Sequence, residues 1–98
     1  MANRHVPSAD GTRIAVQDSG APRPDAPMLV AVHGYPDNHT VWDALVAELA
    51  DRYRVVTYDV RGTGDSDKPG PRSAYRVDRL TEDLRAVLDA CPPPHRCT

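Results

Sequence analysis

A short apolar segment in the first half of the chain ends abruptly in residues that suit a tight turn. Residues 29–32 are apolar, rich in valine and do not alternate with polar residues, which is typical of a strand buried on both faces of a parallel sheet. The segment His33–Pro36 follows at once, and its glycine and proline favour a loop. Since α/β proteins bind ligands where such strands end, we predict that this loop borders an active site.

The residues before this segment predict a β-hairpin. Residues 4–8 and 12–18 flank an Asp-Gly dipeptide, a strong short-range signal for a tight turn between antiparallel strands. In the second arm, Ile14 and Val16 alternate with other residues, so we expect one buried face and one solvated face. Residues 19–27 contain three prolines and a glycine, which predicts a surface loop leading into the apolar segment.

The residues after the segment predict a helix, a strand and a second helix. Apolar residues recur at helical spacing in residues 41–49, with Asn38 or Thr40 as the N-cap, and residues 54–58 predict a short strand. A second helix over residues 77–90 carries a one-sided apolar stripe. The stripe consists of Val77, Leu80, Leu84, Val87 and Leu88. This order predicts an α/β fold, in which an antiparallel hairpin precedes a β-α-β-α unit whose two strands are parallel and joined by a right-handed crossover.

Charge and cysteine usage exclude several classes of function. The 98 residues carry a net charge of −2, with both signs interspersed, which argues against a nucleic-acid surface. The longest apolar runs have strand length and the first ten residues lack the apolar core of a signal peptide, so we expect a cytoplasmic protein that does not enter membranes. Cys91 and Cys97 match no zinc or redox spacing, so we expect no metal and no cofactor. The sequence leaves the oligomeric state open.

Motifs at the ends of the two predicted parallel strands, with a tryptophan between them, carry a family resemblance. They are the H-G-x-P motif His33, Gly34, Pro36, then Trp42, and the D-x-R-G-x-G-x-S motif Asp59, Arg61, Gly62, Gly64, Ser66. In this order and at this separation they resemble the α/β-hydrolase fold family, and within it the branch of epoxide hydrolases and haloalkane dehalogenases. The resemblance extends from about Ser8 to Ala90.

The resemblance implies a role for each motif. The backbone N–H of Tyr35 would form one half of an oxyanion hole, since a turn at a strand end aims an N–H into a cleft where negative charge develops. Trp42 would pack near this loop. Asp59, Arg61 and Ser66 would tie the two loops at the rim together by hydrogen bonds and an ion pair. The complete enzyme would act on a small-molecule substrate.

His33 and Ser66 are of residue types that often act in catalysis, but both are better explained as structural residues. In the family resembled here, the catalytic base comes from a loop near the end of the full domain, so we expect His33 to be a structural hydrogen-bonding residue. Ser66 lies in the sequence Gly-Asp-Ser-Asp, which is not the G-x-S-x-G pattern of a nucleophile elbow, and no strand precedes it directly. We therefore predict that neither residue performs the chemistry.

The remaining catalytic parts of the family would follow the second predicted helix. The nucleophile elbow, the acid, the cap domain and the catalytic histidine are not found in residues 1–90, and residues 91–98 do not resemble a family strand. We therefore expect residues 1–90 to be the N-terminal portion of a hydrolase domain whose sheet is incomplete, and residues 91–98 to be a non-family tail produced by truncation or a frameshift. Such a chain would not turn over epoxides or esters through the family's triad.

Other readings remain open at this point. The chain could be a fragment of an esterase, with serine rather than aspartate as nucleophile, or of a hydrolase fused to a short-chain dehydrogenase/reductase. It could also be a non-catalytic binding module or a pseudoenzyme that uses the same loops.

Overall fold

The computed structural model describes residues 2–34 and 37–91. Within these ranges the chain forms four strands, two α-helices and two short 3₁₀ turns. The strands are β1 (Ala2–Pro7), β2 (Arg13–Asp18), β3 (Met28–Val32) and β4 (Arg54–Tyr58), and the helices are α1 (Asp43–Leu49) and α2 (Val77–Ala90). The 3₁₀ turns are His39–Trp42 and Arg72–Tyr75.

The four strands form one mixed sheet in the order β1-β2-β4-β3. The hairpin strands β1 and β2 pair antiparallel, and β2 also pairs antiparallel with β4. Strands β3 and β4 are parallel, with Val30 opposite Val56, and α1 connects them. The predicted fold, an antiparallel hairpin followed by β-α-β-α with parallel strands, is therefore confirmed.

Strand β3 is an edge strand, and the prediction that both of its faces are buried is wrong. Among the described residues it pairs only with β4, and Val32 is 44% exposed although Ala31 is buried. By contrast Val55 and Val56 of β4, which has a neighbour on each side, are fully buried. The apolar sequence of β3 suits a strand with two neighbours, so its open edge is the incomplete side of this sheet.

The second face of β2 is buried, contrary to the expected solvated face. Ala15 and Gln17 are buried, although slightly less completely than Ile14 and Val16 on the opposite face. Beyond the end of β4 the following loop lies along β2, where Ser66 Oγ accepts a 2.8 Å hydrogen bond from the N–H of Ala15. Alternation in the sequence could not reveal this contact because the loop lies about fifty residues further along the chain.

The hydrophobic core lies between the sheet and α2. It is built from Val6, Ile14, Val16, Val56, Tyr58, Val87 and Cys91. The predicted stripe of α2 is correct at Val87 and wrong at two other positions, since Val77 is 78% exposed and Leu88 is also exposed. Neither helix in the described part of the chain has the length and apolar character needed to cross a membrane.

The connection from β3 to β4 begins with a side-chain cap. Asn38 is the N-cap residue, as one of the two predicted alternatives, and its side-chain oxygen accepts a 2.9 Å hydrogen bond from the N–H of Thr40. The predicted single helix over residues 41–49 is instead a 3₁₀ turn that continues directly into α1. This arrangement places His39 beside the end of β4.

Candidate rim of an active site

His33 joins the loop after β3 to the loop after β4. The ring is buried, and its Nε2 accepts a 2.9 Å hydrogen bond from the N–H of Val60. Its Nδ1 lies 2.9 Å from the carbonyl oxygen of Gly34, so this nitrogen carries the hydrogen and donates it. Because both ring nitrogens are engaged within the protein, His33 has no nitrogen available to take a proton from a substrate.

Asp59 binds both loops from its position at the end of β4. The residue is fully buried, and its Oδ1 accepts hydrogen bonds from the N–H of His39 at 2.7 Å and from the His39 ring at 2.6 Å. Its Oδ2 accepts a 2.9 Å hydrogen bond from the N–H of Asp65. Burial opposes ionisation of this carboxyl, but these hydrogen bonds more than offset burial and hold the pKa of Asp59 below its usual range.

Ser66 is a structural residue in the same loop. Its buried hydroxyl donates a 2.5 Å hydrogen bond to the carbonyl oxygen of Asp59 while accepting one from the N–H of Ala15. The hydroxyl thus both donates and accepts a hydrogen bond within the protein, and no basic side chain is among its partners in residues 2–34 and 37–91. This geometry gives Ser66 no nucleophilic role.

Arg61 makes a different set of contacts from the one expected. Its fully buried guanidinium binds both carboxylate oxygens of Asp83 in α2, at 2.7 and 2.6 Å, and both of Asp10 in the hairpin turn, at 2.9 and 3.2 Å. A further 2.7 Å hydrogen bond reaches the carbonyl oxygen of Ala74. The expected ion pair between the two rim loops is therefore not formed by Arg61, which instead fixes the second loop to the hairpin and to α2.

Three of these partners were not identified from the sequence. Asp83 lies three residues after Leu80 and four before Val87, so its place within the apolar face of α2 was a usable signal of a buried charge. The sequence around Asp10 indicates only a turn, and His39 stands outside both motifs. The sequence neighbours of Asp10 and His39 give no sign of these contacts, because the partners of both residues lie far along the chain.

The remaining predicted site residues are placed as follows. Tyr35 and Pro36 lie outside the described residues. Gly62 adopts a left-handed conformation, with φ of 85°, and its N–H donates a 2.8 Å hydrogen bond to the carbonyl oxygen of Asp67. The indole N–H of Trp42 is buried and has no hydrogen-bond partner among the described residues.

Gly64 lies against the carboxylate of Asp59, and we expect Gly64→Ala to destabilise the chain. A Cβ here would lie 2.5 Å from Cγ and 2.8 Å from Oδ1 of Asp59, and closer still to Oδ2. The backbone φ of +49° is also unfavourable for alanine. Together these effects should lower the free energy of unfolding by about 2 kcal/mol or more, measured by urea denaturation.

Gly20→Ala is the matched control for this prediction. Gly20 has a φ of +78°, but a Cβ there would have no neighbour within 4 Å. The control therefore has the unfavourable positive φ of alanine but no steric clash of its Cβ. Equal destabilisation by the two substitutions would show that the contact with Asp59 contributes nothing.

The buried and paired carboxylates predict a loss of stability in acid. Hydrogen bonding to Arg61 lowers the pKa of Asp10, hydrogen bonding to Arg54 lowers that of Asp18, and the pKa of Asp59 is lowered as described. A carboxyl group whose pKa is lower in the folded state than in the unfolded state stabilises the fold at pH values above its unfolded pKa of about 3.9. This stabilisation is lost as the pH falls through the pKa of the folded state. These carboxylates should therefore make the free energy of unfolding decrease steadily below about pH 4.

Two substitutions check the origin of this acid sensitivity. Asp18→Asn removes a carboxylate paired at 2.6 Å with Arg54 and should make the acid slope shallower. Asp25→Asn is the control, since its ion pair with Arg23 is exposed to solvent on both sides. If both substitutions change the pH dependence of the free energy of unfolding equally, the pair of Asp18 and Arg54 is not a source of the acid sensitivity.

Two grooves flank this rim. A polar groove of about 360 Å³ lies on the hairpin side, where β1 and β2 meet His39 and Asp65. An apolar groove of about 210 Å³ lies between the end of β3 and α2. Tyr58 lines the apolar groove, and its burial, together with the charge of Asp83, raises its pKa to about 12. Within residues 2–34 and 37–91, no group of three or more histidine, cysteine or acidic side chains is arranged to hold a metal ion.

The sequence matches a family model and is similar to curated proteins. A family model described as alpha/beta hydrolase fold matches residues 27–96. "Probable oxidoreductase EphD" of Mycobacterium tuberculosis is 47% identical over 91 residues, which are 93% of this chain and 15% of that protein. "Epoxide hydrolase B" of the same species is 38% identical over 81 residues, which are 82% of this chain and 23% of that protein.

The fold is similar to that of solved hydrolases. An epoxide hydrolase from an endophytic Streptomyces matches with a TM-score of 0.81 and 33% sequence identity, covering 94% of this chain and 27% of that one. The chain spans between 15% and 24% of the length of the curated relatives compared with it. The similarity therefore concerns the N-terminal portion of those proteins.

Proposed function

This chain belongs to the α/β-hydrolase fold family, and we propose that it supplies the N-terminal part of the catalytic domain of an epoxide-hydrolase-like enzyme. In the complete enzyme an aspartate would open the epoxide to form an alkyl-enzyme ester, and water activated by a histidine would hydrolyse that ester. Both groups would lie beyond residue 90. The part played by this chain would be one half of the oxyanion hole, the backbone N–H of Tyr35.

The observation that carries this proposal is the way the two loops are held together at one edge of the sheet. His33 and Asp59 follow adjacent parallel strands, and each binds the backbone of the opposite loop. A loop fixed in this way can present an N–H at a constant position, which electrostatic stabilisation of an oxyanion requires. The network thus supports a positioning role for His33 and Asp59. Such a role for Gly34, Pro36, Trp42 and the rest of the second motif stays a prediction.

The open side of the sheet supports the same proposal. The apolar groove beside β3 contains Val32 and Val77, both exposed to solvent. The family resemblance places the following strand, with the nucleophile at its end, next to β3. That strand would cover the groove and bring the nucleophile to the loop that begins at His33. The division of the chain at residue 90 stays a prediction, as do a cytoplasmic location and a substrate that is a small molecule rather than nucleic acid.

A chimaera tests the proposal. Residues 2–90 of this chain would replace the matched N-terminal segment of Epoxide hydrolase B, and diol formation from styrene oxide would be measured. We expect the chimaera to hydrolyse the epoxide and the 98-residue chain alone to form no diol. A folded chimaera without activity, or diol formation by the isolated chain, would contradict the proposal.

A second candidate function rests on the relative with the highest identity among those given above. That relative is named an oxidoreductase, and this chain covers a smaller share of it than of Epoxide hydrolase B. We therefore also propose that the parent protein carries a further domain after the hydrolase domain, of the short-chain dehydrogenase/reductase type. Sequencing the gene beyond codon 90 decides this, because such a domain would bring a dinucleotide-binding G-x-G-x-x-G motif after a strand. Absence of a nucleophile elbow in every downstream frame would instead favour a non-catalytic module.

A further inference from the structure

The polar groove contains a histidine whose outer ring nitrogen binds none of the described residues. Nδ1 of His39 lies 2.6 Å from Oδ1 of Asp59, and the His39 side chain is 22% exposed. A carboxylate can only accept a hydrogen bond, so Nδ1 carries the hydrogen and Nε2 of the neutral ring keeps its lone pair. No described residue binds Nε2, and this atom is not among the buried polar atoms without a partner, so it is open to solvent.

The carboxylate behind this ring is fixed on all sides. Asp59 is fully buried, and the N–H groups of His39 and Asp65 hold its two oxygens. These contacts keep the carboxylate ionised and fix the tautomer and the orientation of the ring. A buried carboxylate behind an imidazole does the same in enzymes that use histidine as a base or nucleophile.

The groove in front of the ring can hold a small polar molecule. Its volume of about 360 Å³ lies within the usual range for small-molecule pockets. Gln17 lines the groove although it is only 5% exposed, and its Oε1 accepts a hydrogen bond from Thr57. The amide nitrogen of Gln17 has no hydrogen-bond partner among the described residues, so it remains available as a donor to an oxygen in the groove.

We propose that His39 is a nucleophilic imidazole that accepts an acyl group from small activated esters bound in this groove. Nε2 attacks the carbonyl carbon, a C–N bond forms, and the ester C–O bond breaks as the phenolate leaves with the bonding pair. Asp59 holds the Nδ1 hydrogen of the acylimidazolium throughout. Water then adds its hydroxyl to the acyl carbon, the imidazole is released, and the proton left over neutralises the phenolate. This reaction needs neither Tyr35 nor the nucleophile proposed to lie beyond residue 90.

The first test maps the reactive nitrogen in the unaltered chain. Diethyl pyrocarbonate transfers an ethoxycarbonyl group to histidine, and mass spectrometry of peptides locates it among the four histidines. His5 is an internal comparison, because it lines the same groove with its Nε2 3.1 Å from the carbonyl oxygen of Asp65. We expect His39 to react at least about tenfold faster than His5 or His33, and this preference to disappear in urea. Modification of His39 no faster than that of His5 would overturn the proposal, whether or not any variant folds.

The second test follows turnover of p-nitrophenyl acetate by the 98-residue chain. His39→Gln should slow release of the phenolate at least about tenfold, whereas His95→Gln, which removes an imidazole outside the described residues, should not change it. A His39→Gln chain that retains the parent's circular dichroism spectrum and its rate would overturn the proposal. The chimaera assay uses an epoxide and a different nucleophile, so failure of one test leaves the other proposal standing.

Discussion

Replacing Arg61 with methionine is expected to lower the free energy of unfolding by about 3–5 kcal/mol. The substitution fills most of the same space but leaves the carboxylate of Asp83 buried without its partner, and Asp10 loses both of its contacts with the guanidinium. An uncompensated buried charge costs far more than the net gain from a pair. Since domains of this size are stable by only about 5–15 kcal/mol, the midpoint of unfolding should move to a much lower urea concentration.

Two further variants show where this loss originates. Arg79→Met removes an ion pair with Glu82 that is partly exposed on both sides, so the same chemical change there should alter stability little. Combining Arg61→Met with Asp83→Leu removes the unpaired carboxylate and should recover part of the stability. If Arg61→Met is no more destabilising than Arg79→Met, the buried network does not stabilise the fold.

Replacing Tyr35 with proline in the chimaera is expected to reduce kcat by about 10² to 10³, because proline has no backbone N–H. In the proposed mechanism this N–H stabilises the oxyanion that forms when water attacks the alkyl-enzyme ester. The second step should therefore slow selectively. The covalent intermediate should accumulate during turnover of styrene oxide and be visible in the intact mass of the protein.

Tyr35→Phe is the matched control, since it removes only the phenol hydroxyl and keeps the backbone N–H. Its kcat should remain close to that of the unaltered chimaera, with no accumulated adduct. Equal loss of activity in both variants would assign the effect to the side chain. A Tyr35→Pro chimaera that melts like its parent and retains full activity would exclude the N–H from the oxyanion hole.

The elements of this fold were predictable where the signals are local. The Asp-Gly dipeptide defined the hairpin, and the apolar segments of β3 and β4 defined the parallel pair. Asn38 was one of two predicted caps and is the one used. These features depend on neighbouring residues and on backbone preferences that a single sequence displays.

The motif residues of the candidate rim were predictable from the sequence, but their partners and contacts were not. The sequence pointed to Arg61, but its partners Asp10 and Asp83 are 51 and 22 residues away. The alternation along β2 also gives no sign that Gln17 is buried, and its Oε1 accepts a hydrogen bond from Thr57, 40 residues away. Such contacts arise only when distant segments pack together, and hydrophobic periodicity carries no information about them.

The Arg61 network also bears on the order in which the chain folds. It joins the hairpin turn, the loop after β4, the carbonyl of Ala74 and α2. Burying the guanidinium is costly until all of these partners are in place, so these segments must dock before the network can form. Formation of the network should therefore follow the rate-limiting step of folding. Arg61 then has little influence on how fast the chain folds, and it sets how long the folded state survives before it unfolds.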